Sequence, residues 1–262
     1  MTKYIRLYGA FFRANFMKAT AYRGNFWLYV LLTALESMTV YIAIAVLFLH
    51  VETIAGWSYH DMLVLSGIFI ITNGLSWILF RASVMQLDQM ITSGDLDGKL
   101  TKPVDAQFLV SVERIDIEDV GRSFVGIGIL WLGLRGTPLF SFATALPFFL
   151  IMLVSGQIIL YSIMLLVKVI SFASIQGWST NAISWRFHDL SRYPTDIYTG
   201  MMRVIYTFVF PLVFIATVPA KALIGRLTMP FFFGSLVAAA MSFAVVRFFW
   251  VRALQKYTSA SS

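Results

Sequence analysis

The sequence contains no cysteine and only three histidines, and charged side chains make up just 13% of its 262 residues. Without cysteine the chain forms neither a disulfide bond nor a thiolate metal site. His50, His60 and His188 lie far apart and lack the spacing of a metal-binding motif. These absences exclude disulfide-stabilised folds and the common zinc motifs.

Nucleotide-binding and hydrolase motifs are also missing. No G-x-x-x-x-G-K-[ST] phosphate loop is present, because the nearest string, residues 94–99, has the wrong spacing and no hydroxyl after the lysine. No G-x-S-x-G elbow or H-E-x-x-H pair occurs. We therefore expect no catalytic residue, cofactor or metal site in this chain. Active transport would take its energy from a partner or from an ion gradient.

Apolar residues, in contrast, are abundant. Hydrophobic side chains account for 59% of the sequence, and the mean hydropathy is +0.79. An ordinary soluble domain is about 45–50% apolar and about 25% charged, so a soluble protein of this length could not bury the excess. The composition predicts a single integral membrane domain.

Six apolar runs approach or exceed the roughly 20 residues that a bilayer crossing requires. Their continuous apolar character argues against a membrane β-barrel, whose strands alternate in polarity. The third run is the shortest, with Arg122 and Arg135 near its ends, and a re-entrant segment is the alternative there. The predicted spans are residues 26–49, 62–80, 120–134, 139–167, 204–220 and 229–250.

The basic residues predict the orientation of these spans. With six spans, 17 of the 20 lysines and arginines fall on one side, Arg203 among them, and only Arg135, Lys221 and Arg226 fall on the other. Basic loops face the cytoplasm, so both termini are predicted there. The net charge of +7 therefore indicates contact with anionic membrane lipids, and no nucleic-acid partner is expected.

The N-terminal residues 1–25 are predicted to form an amphipathic connecting helix that lies in the membrane interface. The alternative is a basic flank that serves only to orient the first span. The stripe that predicts the helix consists of Tyr4, Ile5, Tyr8, Phe11, Phe12 and Asn15.

A second cytoplasmic loop is predicted at residues 171–203. Trp178 and Trp185 indicate an interfacial helix there, which ends before Pro194 because the residue preceding a proline avoids the helical conformation. Residues 258–262 are predicted to be a disordered tail.

The cytoplasmic segment between the second and third spans, residues 81–119, holds eight of the 13 acidic residues. Turn-forming residues at 93–95 and 102–103 are predicted to divide it into short helices. A charged and structured segment of this kind favours docking of a soluble partner. The alternative is a solvated linker, which is common for runs of charge.

Glu36 is the only acidic residue deep inside an apolar run. A charge in mid-bilayer costs about 2.5–3.5 kcal/mol on insertion scales, so it should face protein or water. It either lines a pathway or bonds to another helix. Asn73, Ser76 and Gln157 are weaker candidates of the same kind, because such residues often join helices.

Three stretches resemble a bacterial ABC-2 permease family. Residues 91–104, ITSGDLDGKLTKPV, resemble the family signature I-x-x-G-x-L-D-x-x-L-x-[KR]-P. Residues 191–198, SRYPTDIY, and 210–220, FPLVFIATVPA, resemble the family in the same order, and the likeness covers nearly the whole chain. One departure is Gly98, where the family usually has a bulkier residue.

The resemblance implies an all-α integral membrane protein with six transmembrane helices, of the type V or ABC-2 exporter-like class. Residues 26–257 would form the transmembrane domain, paired with a second permease copy or a paralogue in a bacterial cytoplasmic (inner) membrane. Two ABC ATPase subunits, which hold ATP and Mg²⁺, would dock on a coupling helix within residues 81–119, and substrate would move outward from the cytoplasm or inner leaflet.

The same resemblance implies roles for particular residues. The second and fifth spans would line the translocation path. Glu36 is a further candidate for this path because it is an acidic residue inside a predicted span. The implied coupling residues are Ile91, Gly94, Asp95, Leu96, Asp97, Leu100, Lys102 and Pro103. The predicted path residues are Glu36, Asn73, Trp77 and Phe208.

Two other functions remain open from the residues themselves. A secondary transporter or channel driven by an ion gradient would use intramembrane ionisable groups, of which Glu36 is the single deep example. A membrane enzyme acting on lipid would need a cluster of His, Asp or Glu at one membrane face, and His188-Asp189 is the only close pair.

Overall fold

The computed structural model describes residues 2–135, 139–169 and 180–257. These residues form helices and connecting turns, and the one β feature among them is an isolated bridge between Ile54 and Trp57. The prediction of an all-α chain is therefore confirmed. Trp178 and the predicted tail at residues 258–262 lie outside the described residues.

Thirteen α-helices follow one another along the described part of the chain. A π-helical turn at Trp77–Arg81 continues α3 directly into α4, and short 3-10 turns connect several other helices. The helices are α1 (Thr2–Ala21), α2 (Arg23–Leu47), α3 (Tyr59–Ser76), α4 (Ala82–Val84), α5 (Leu87–Ser93), α6 (Asp95–Leu100), α7 (Ala106–Val112), α8 (Val120–Gly133), α9 (Leu139–Val169), α10 (Asn181–Asp189), α11 (Gly200–Val204), α12 (Thr217–Leu223) and α13 (Met229–Lys256).

Four helical stretches of the described chain are long and apolar enough to cross a membrane. They are α2, the stretch from α3 to the end of α5 at Ser93, α9 from Phe142 onward, and α13. A fifth crossing exists if Gly200–Val209 and Leu212–Leu223 form one span, although these pieces bend by 68°. Pro211 lies at that bend, where its missing N–H interrupts the helical hydrogen bonds. Length and composition thus indicate a multi-pass membrane protein.

The predicted third span forms a helix shorter than a full crossing. α8 has 14 residues, a length of about 21 Å against roughly 30 Å of hydrocarbon. It runs antiparallel to α3, because Gly133 at its end approaches the His60 carbonyl and the Asp119 carbonyl at its start approaches Gly74. α8 therefore accompanies α3 over most of the length of that helix.

Glycines allow α3 and α8 to approach closely. A Cβ atom on Gly67 would lie 2.6 Å from the Leu130 nitrogen, and one on Gly126 would lie 2.9 Å from the Ile71 nitrogen. No side chain fits at such distances, so both positions require glycine. Small residues at helix contacts are typical of membranes, where van der Waals packing and not the hydrophobic effect holds helices together.

The predicted cytoplasmic segment at residues 81–119 is folded onto the helix bundle. Leu87 and Leu96 are fully buried in an apolar cluster that includes Met164 of α9 and side chains of α13. The segment is therefore not the solvated linker of the alternative interpretation. The helix that begins with α3 also continues past the predicted end of the second span at Phe80.

One prediction about the sides of the membrane is wrong. The charge pattern predicts Arg203 and Lys221 on opposite sides, yet both approach the carboxylate of Asp196, at 3.6 Å and 2.7 Å. Trp57, in the loop before α3, donates its indole N–H to the same carboxylate at 3.0 Å. Groups that share one carboxylate cannot be separated by a bilayer.

The cause is the segment of residues 181–197, which runs along α3. Trp185 contacts Trp77 just beyond one end of α3, whereas Asp196 contacts Trp57 just before the other end. The segment is short and polar, so a search for long apolar runs passes over it. Of the predicted loop at residues 171–203, the described part, residues 180–203, therefore does not lie wholly at one end of the bundle.

Candidate functional site

The predicted coupling segment contains a sharp break between α5 and α6. Gly94 has a φ of +79°, a left-handed conformation that glycine adopts without steric cost. It ends α5 and begins α6, and the Ser93 hydroxyl donates to the Asp95 carboxylate at 2.7 Å. The predicted break at residues 93–95 is confirmed, and it makes α6 a separate short helix.

The predicted coupling residues divide into buried and exposed groups. Leu96 is fully buried in the apolar cluster beneath α6, so it cannot contact a partner in this structure. Leu100, one turn further on, keeps 39% of its surface exposed. Ile91, Gly94 and Asp97 are half-buried. The exposed residues, which we call the α6 face, are Asp95, Leu100, Lys102 and Pro103.

The helix predicted for residues 1–25 is observed as α1, and it contacts the segment that follows α6. The Lys3 ammonium group donates to the Pro103 carbonyl at 2.8 Å, and the Asn15 amide donates to the Glu113 carbonyl at 2.9 Å. The start of the described chain and the α6 face therefore lie at the same end of the molecule.

A polar cleft of about 750 Å³ opens between α1 and the α6 face. Lys99 lies in this cleft and forms an ion pair with Glu113. Burial and the neighbouring charge of Lys102 lower the pKa of Lys99, and Asp95 opposes them. Lys18 adds a further positive charge from α1. The cleft therefore combines charges of both signs next to the exposed face of α6.

A bidentate ion pair joins the segment after α6 to the last long helix. Arg247 of α13 donates to the two carboxylate oxygens of Asp105 at 2.6 Å and 3.1 Å. It also donates to Gln107 at 2.9 Å, and the Gln107 amide donates to the Tyr161 hydroxyl of α9 at 3.0 Å. We call these four residues the Arg247 clamp. It fastens the predicted coupling segment to two long helices.

The charge on Asp105 depends on this clamp. Burial by itself raises the pKa of Asp105, but hydrogen bonds from Arg247 and from the Phe108 N–H outweigh burial, so the pKa lies below its ordinary value. A lowered carboxyl pKa stabilises the fold above the unfolded value of about 3.9, and that stability is lost as the pH falls through the folded value. The clamp is therefore fully formed at neutral pH.

We expect Arg247→Gln to lower the stability of the fold by about 1 kcal/mol, because the clamp is bidentate but partly open to solvent. Thermal unfolding of the purified protein at pH 7 measures this loss. Arg252→Gln is the matched control, since Arg252 is exposed on the same helix. In an Asp105→Asn background the Arg247 substitution should cost much less, and equal losses in both backgrounds would contradict the clamp.

A buried cation lies at the end of α9. Lys168 has no exposed surface and donates to Asp88 of α5 and to Asn181 of α10, both at 2.5 Å. Thr180 donates to the same Asp88 carboxylate at 2.9 Å. This network holds the helix that precedes α6 against the bundle.

Glu36 takes part in a contact between helices. Its carboxylate accepts a hydrogen bond from Arg122 of α8 at 3.0 Å, and Arg122 also donates to Asp119 at 2.8 Å. The Arg122 side chain is 9% exposed and that of Glu36 is 66% exposed. The triad of Glu36, Arg122 and Asp119 joins α2 to α8. This agrees with the alternative in which Glu36 bonds to another helix.

Two of the four predicted path residues meet around a buried arginine. Asn73 accepts a hydrogen bond from Arg81 at 2.8 Å, and the Arg81 guanidinium lies 5.0 Å from the Trp77 ring. Phe208 lies apart, on an exposed turn after α11. No hydrogen bond or ring contact within the described chain links Glu36 or Phe208 to this pair.

The family of the chain follows from a match over most of its length. Residues 34–261 match the family model described as ABC-2 family transporter protein. The chain belongs to the ABC-2 transporter family. No curated protein and no solved structure matches it. As an ABC-2 protein it is a membrane subunit of an ABC transporter and is not itself catalytic.

Two arginines of this ABC-2 permease make contacts, although neither is among the residues predicted from the sequence. Arg247 is the only charged residue between Met229 and Val251, and this isolation in an apolar helix was a signal for a specific partner. Arg81 directly follows the predicted second span, where the charge pattern indicates only the orientation of that span. The Trp185 ring that contacts the buried Arg81 guanidinium is remote in the sequence.

Proposed function

We propose that this ABC-2 protein is the permease subunit of an ATP-driven exporter. It would move substrate outward from the cytoplasm or inner leaflet when docked to a separate ATPase subunit, which binds ATP and Mg²⁺. The observation that carries the proposal is the folded segment α5–α7. It exposes the α6 face, buries Leu96 beneath it and is tied to α13 by the Arg247 clamp.

These contacts support a mechanical route from the ATPase to the permease. Force on the α6 face would reach the bundle through the apolar anchor at Leu96 and through the Asp105–Arg247 pair. Both connections end on long helices, α9 and α13. A loose loop could not transmit such a movement, whereas a packed segment moves with the helices that it contacts.

We propose six membrane crossings with both termini in the cytoplasm of a bacterial inner membrane, in which residues 181–197, which run along α3, replace the predicted fifth span at residues 204–220. The antiparallel run of α8 along α3 supports counting α8 as a crossing. The contacts of α1 with residues 103–113, and of Arg247 near the end of α13 with Asp105, support a shared cytoplasmic side for the termini and the coupling segment.

We further propose that the permease pairs with a second copy or with a paralogue. α2 and α13 support this, because little of either helix is buried within the chain. Glu36 is a more specific sign, since its carboxylate is largely exposed on α2. A carboxylate that faced lipid at mid-bilayer would be costly in free energy, and contact with a partner helix or with water would lower that cost.

The docking proposal predicts that Leu100→Glu abolishes recovery of the ATPase. A negative charge would replace an apolar contact on the α6 face, and we expect copurified ATP hydrolysis to fall at least about tenfold, a loss of roughly 1.4 kcal/mol. Leu49→Glu is the matched control, because Leu49 is 80% exposed just after α2 and remote from α6 in the chain.

Both variants should fold, which size-exclusion chromatography and thermal unfolding verify. Recovery of the ATPase by Leu100→Glu at the level of the unsubstituted protein would contradict docking through α6. Transport by the purified chain alone in liposomes, driven by an ion gradient, would instead support the secondary transporter.

A further inference from the structure

Arg81 has an unusual environment for a charged residue. It has no exposed surface, and it is the last residue of the π-helical turn Trp77–Arg81. Its guanidinium packs against two indole rings that also contact each other, 5.0 Å from the centre of Trp77 and 4.1 Å from that of Trp185. Rare π turns of this kind are frequently found at functional sites.

The hydrogen-bonding capacity of Arg81 is only partly used. Nη1 donates to the Asn73 side-chain oxygen at 2.8 Å, but Nε and Nη2 have no hydrogen-bond partner within the described chain. The indole N–H of Trp77 is buried and likewise lacks a partner there. Buried donors are almost always paired in proteins, so three free donors in one cluster indicate a missing acceptor.

The free donors of Arg81 have the geometry of an anion site. Nε–H and Nη2–H lie on one edge of the planar guanidinium and point in nearly the same direction. This edge matches the two oxygens of a carboxylate or phosphate group. Asn73 occupies the opposite nitrogen, so the free edge is the side left for a ligand.

The acidic residues of this region bond elsewhere. Asp119 and Glu36 both accept from Arg122, and Asp189 lies 3.8 Å from Arg192. No ion pair joins Arg81 to a carboxylate in the part of the chain that the structure describes. The described residues therefore give the charge of Arg81 no ion-pair partner, which is costly in a buried setting.

We propose that Arg81, Trp77 and Trp185 form a binding site for the carboxylate or phosphate group of an amphiphilic molecule. The anion accepts hydrogen bonds from the free edge of Arg81, and the indoles cover its apolar side. Trp185 is partly exposed, so the site formed by these three residues borders the protein surface. Identifying the ligand as transported cargo rests on the proposed function, whereas the anion site itself does not.

The test uses the full chain in nanodiscs of phosphatidylcholine, without ATPase. Tryptophan fluorescence follows titration with decyl phosphate and decanoate, and decyltrimethylammonium serves as the cationic comparison. We expect saturable binding of both anions and none of the cation. Arg81→Gln should weaken anion binding at least tenfold, and Arg81→Lys should restore only part of it because lysine lacks the two-donor edge.

A second variant leaves the arginine in place. Asn73→Asp puts a carboxylate 2.8 Å from Arg81 and should abolish anion binding by supplying an internal counterion. Arg135→Gln is the matched control, because Arg135 also stacks on a tryptophan, Trp131, at 4.4 Å but is exposed. Unchanged anion binding in a folded Asn73→Asp variant would overturn the proposal, and so would equal binding of cation and anions.

The source of the anion is tested by a change of lipid. Phosphatidylglycerol in the nanodisc should compete with decyl phosphate if a membrane lipid fills the site, and should leave the titration unchanged if the site is reserved for cargo. Either result supports the anion site. Binding without any ATP-driven export would refute the exporter and leave the site standing, whereas export with no binding at Arg81 would refute the site alone.

Discussion

Gly126→Val should prevent α3 and α8 from packing and leave little folded protein. The first side-chain carbon would lie 2.9 Å from the Ile71 nitrogen and 3.0 Å from the Gly67 carbonyl, and neither backbone atom can move without separating the helices. Overpacking costs about 1–3 kcal/mol and occasionally more, and we expect at least the upper value here. Thermal unfolding and the yield of monodisperse protein measure the effect.

Gly128→Val is the control for this substitution. Gly128 lies two residues further along α8, and a Cβ there would meet nothing within 4 Å. Both variants carry the same cost of placing valine in a helix, so their difference isolates the contact with α3. Equal losses at the two positions would show that close approach of the helices is not what Gly126 provides.

Arg122→Met should produce the second large loss of stability. It removes the cation between Glu36 and Asp119 and leaves the buried Asp119 without its ion-pair partner. Breaking a buried ion pair from one side costs about 3–5 kcal/mol, and the exposure of Glu36 favours the lower value. Thermal unfolding in detergent or nanodiscs gives the measurement.

Two further variants separate charge from packing. Adding Asp119→Asn to Arg122→Met should recover part of the lost stability, since it removes the unpaired buried charge. Arg135→Met, at the other end of α8 and exposed, should change the stability little. If Arg122→Met and Arg135→Met unfold at the same temperature, the triad does not stabilise the contact between α2 and α8.

The position of Leu96 changes how the coupling segment should be tested. Leu96 and Leu100 both match leucine positions of the signature at residues 91–104, but only Leu100 is exposed. A charged residue at position 96 would enter the apolar core and unfold the segment, so loss of a partner would carry no information about docking. Leu100 and its neighbours on the α6 face test docking without disturbing the core.

The sequence by itself determined the class of this protein. A 59% apolar composition requires a lipid solvent, and Gly94 marks the boundary between α5 and α6 because its left-handed conformation suits glycine. The signature at residues 91–104 identified the family. These features depend on composition and on local conformation, which neighbouring residues are sufficient to specify.

Only the tertiary structure decided which charges meet. Lys221 and Arg203 share Asp196, and Trp185 closes over Arg81, although each contact joins residues remote in the sequence. Hydropathy cannot register the polar segment of residues 181–197 that makes these contacts. Which charges pair is set by how the helices pack against one another. Desolvation makes an unpaired buried charge costly, so each buried charge needs the partner that the fold brings near.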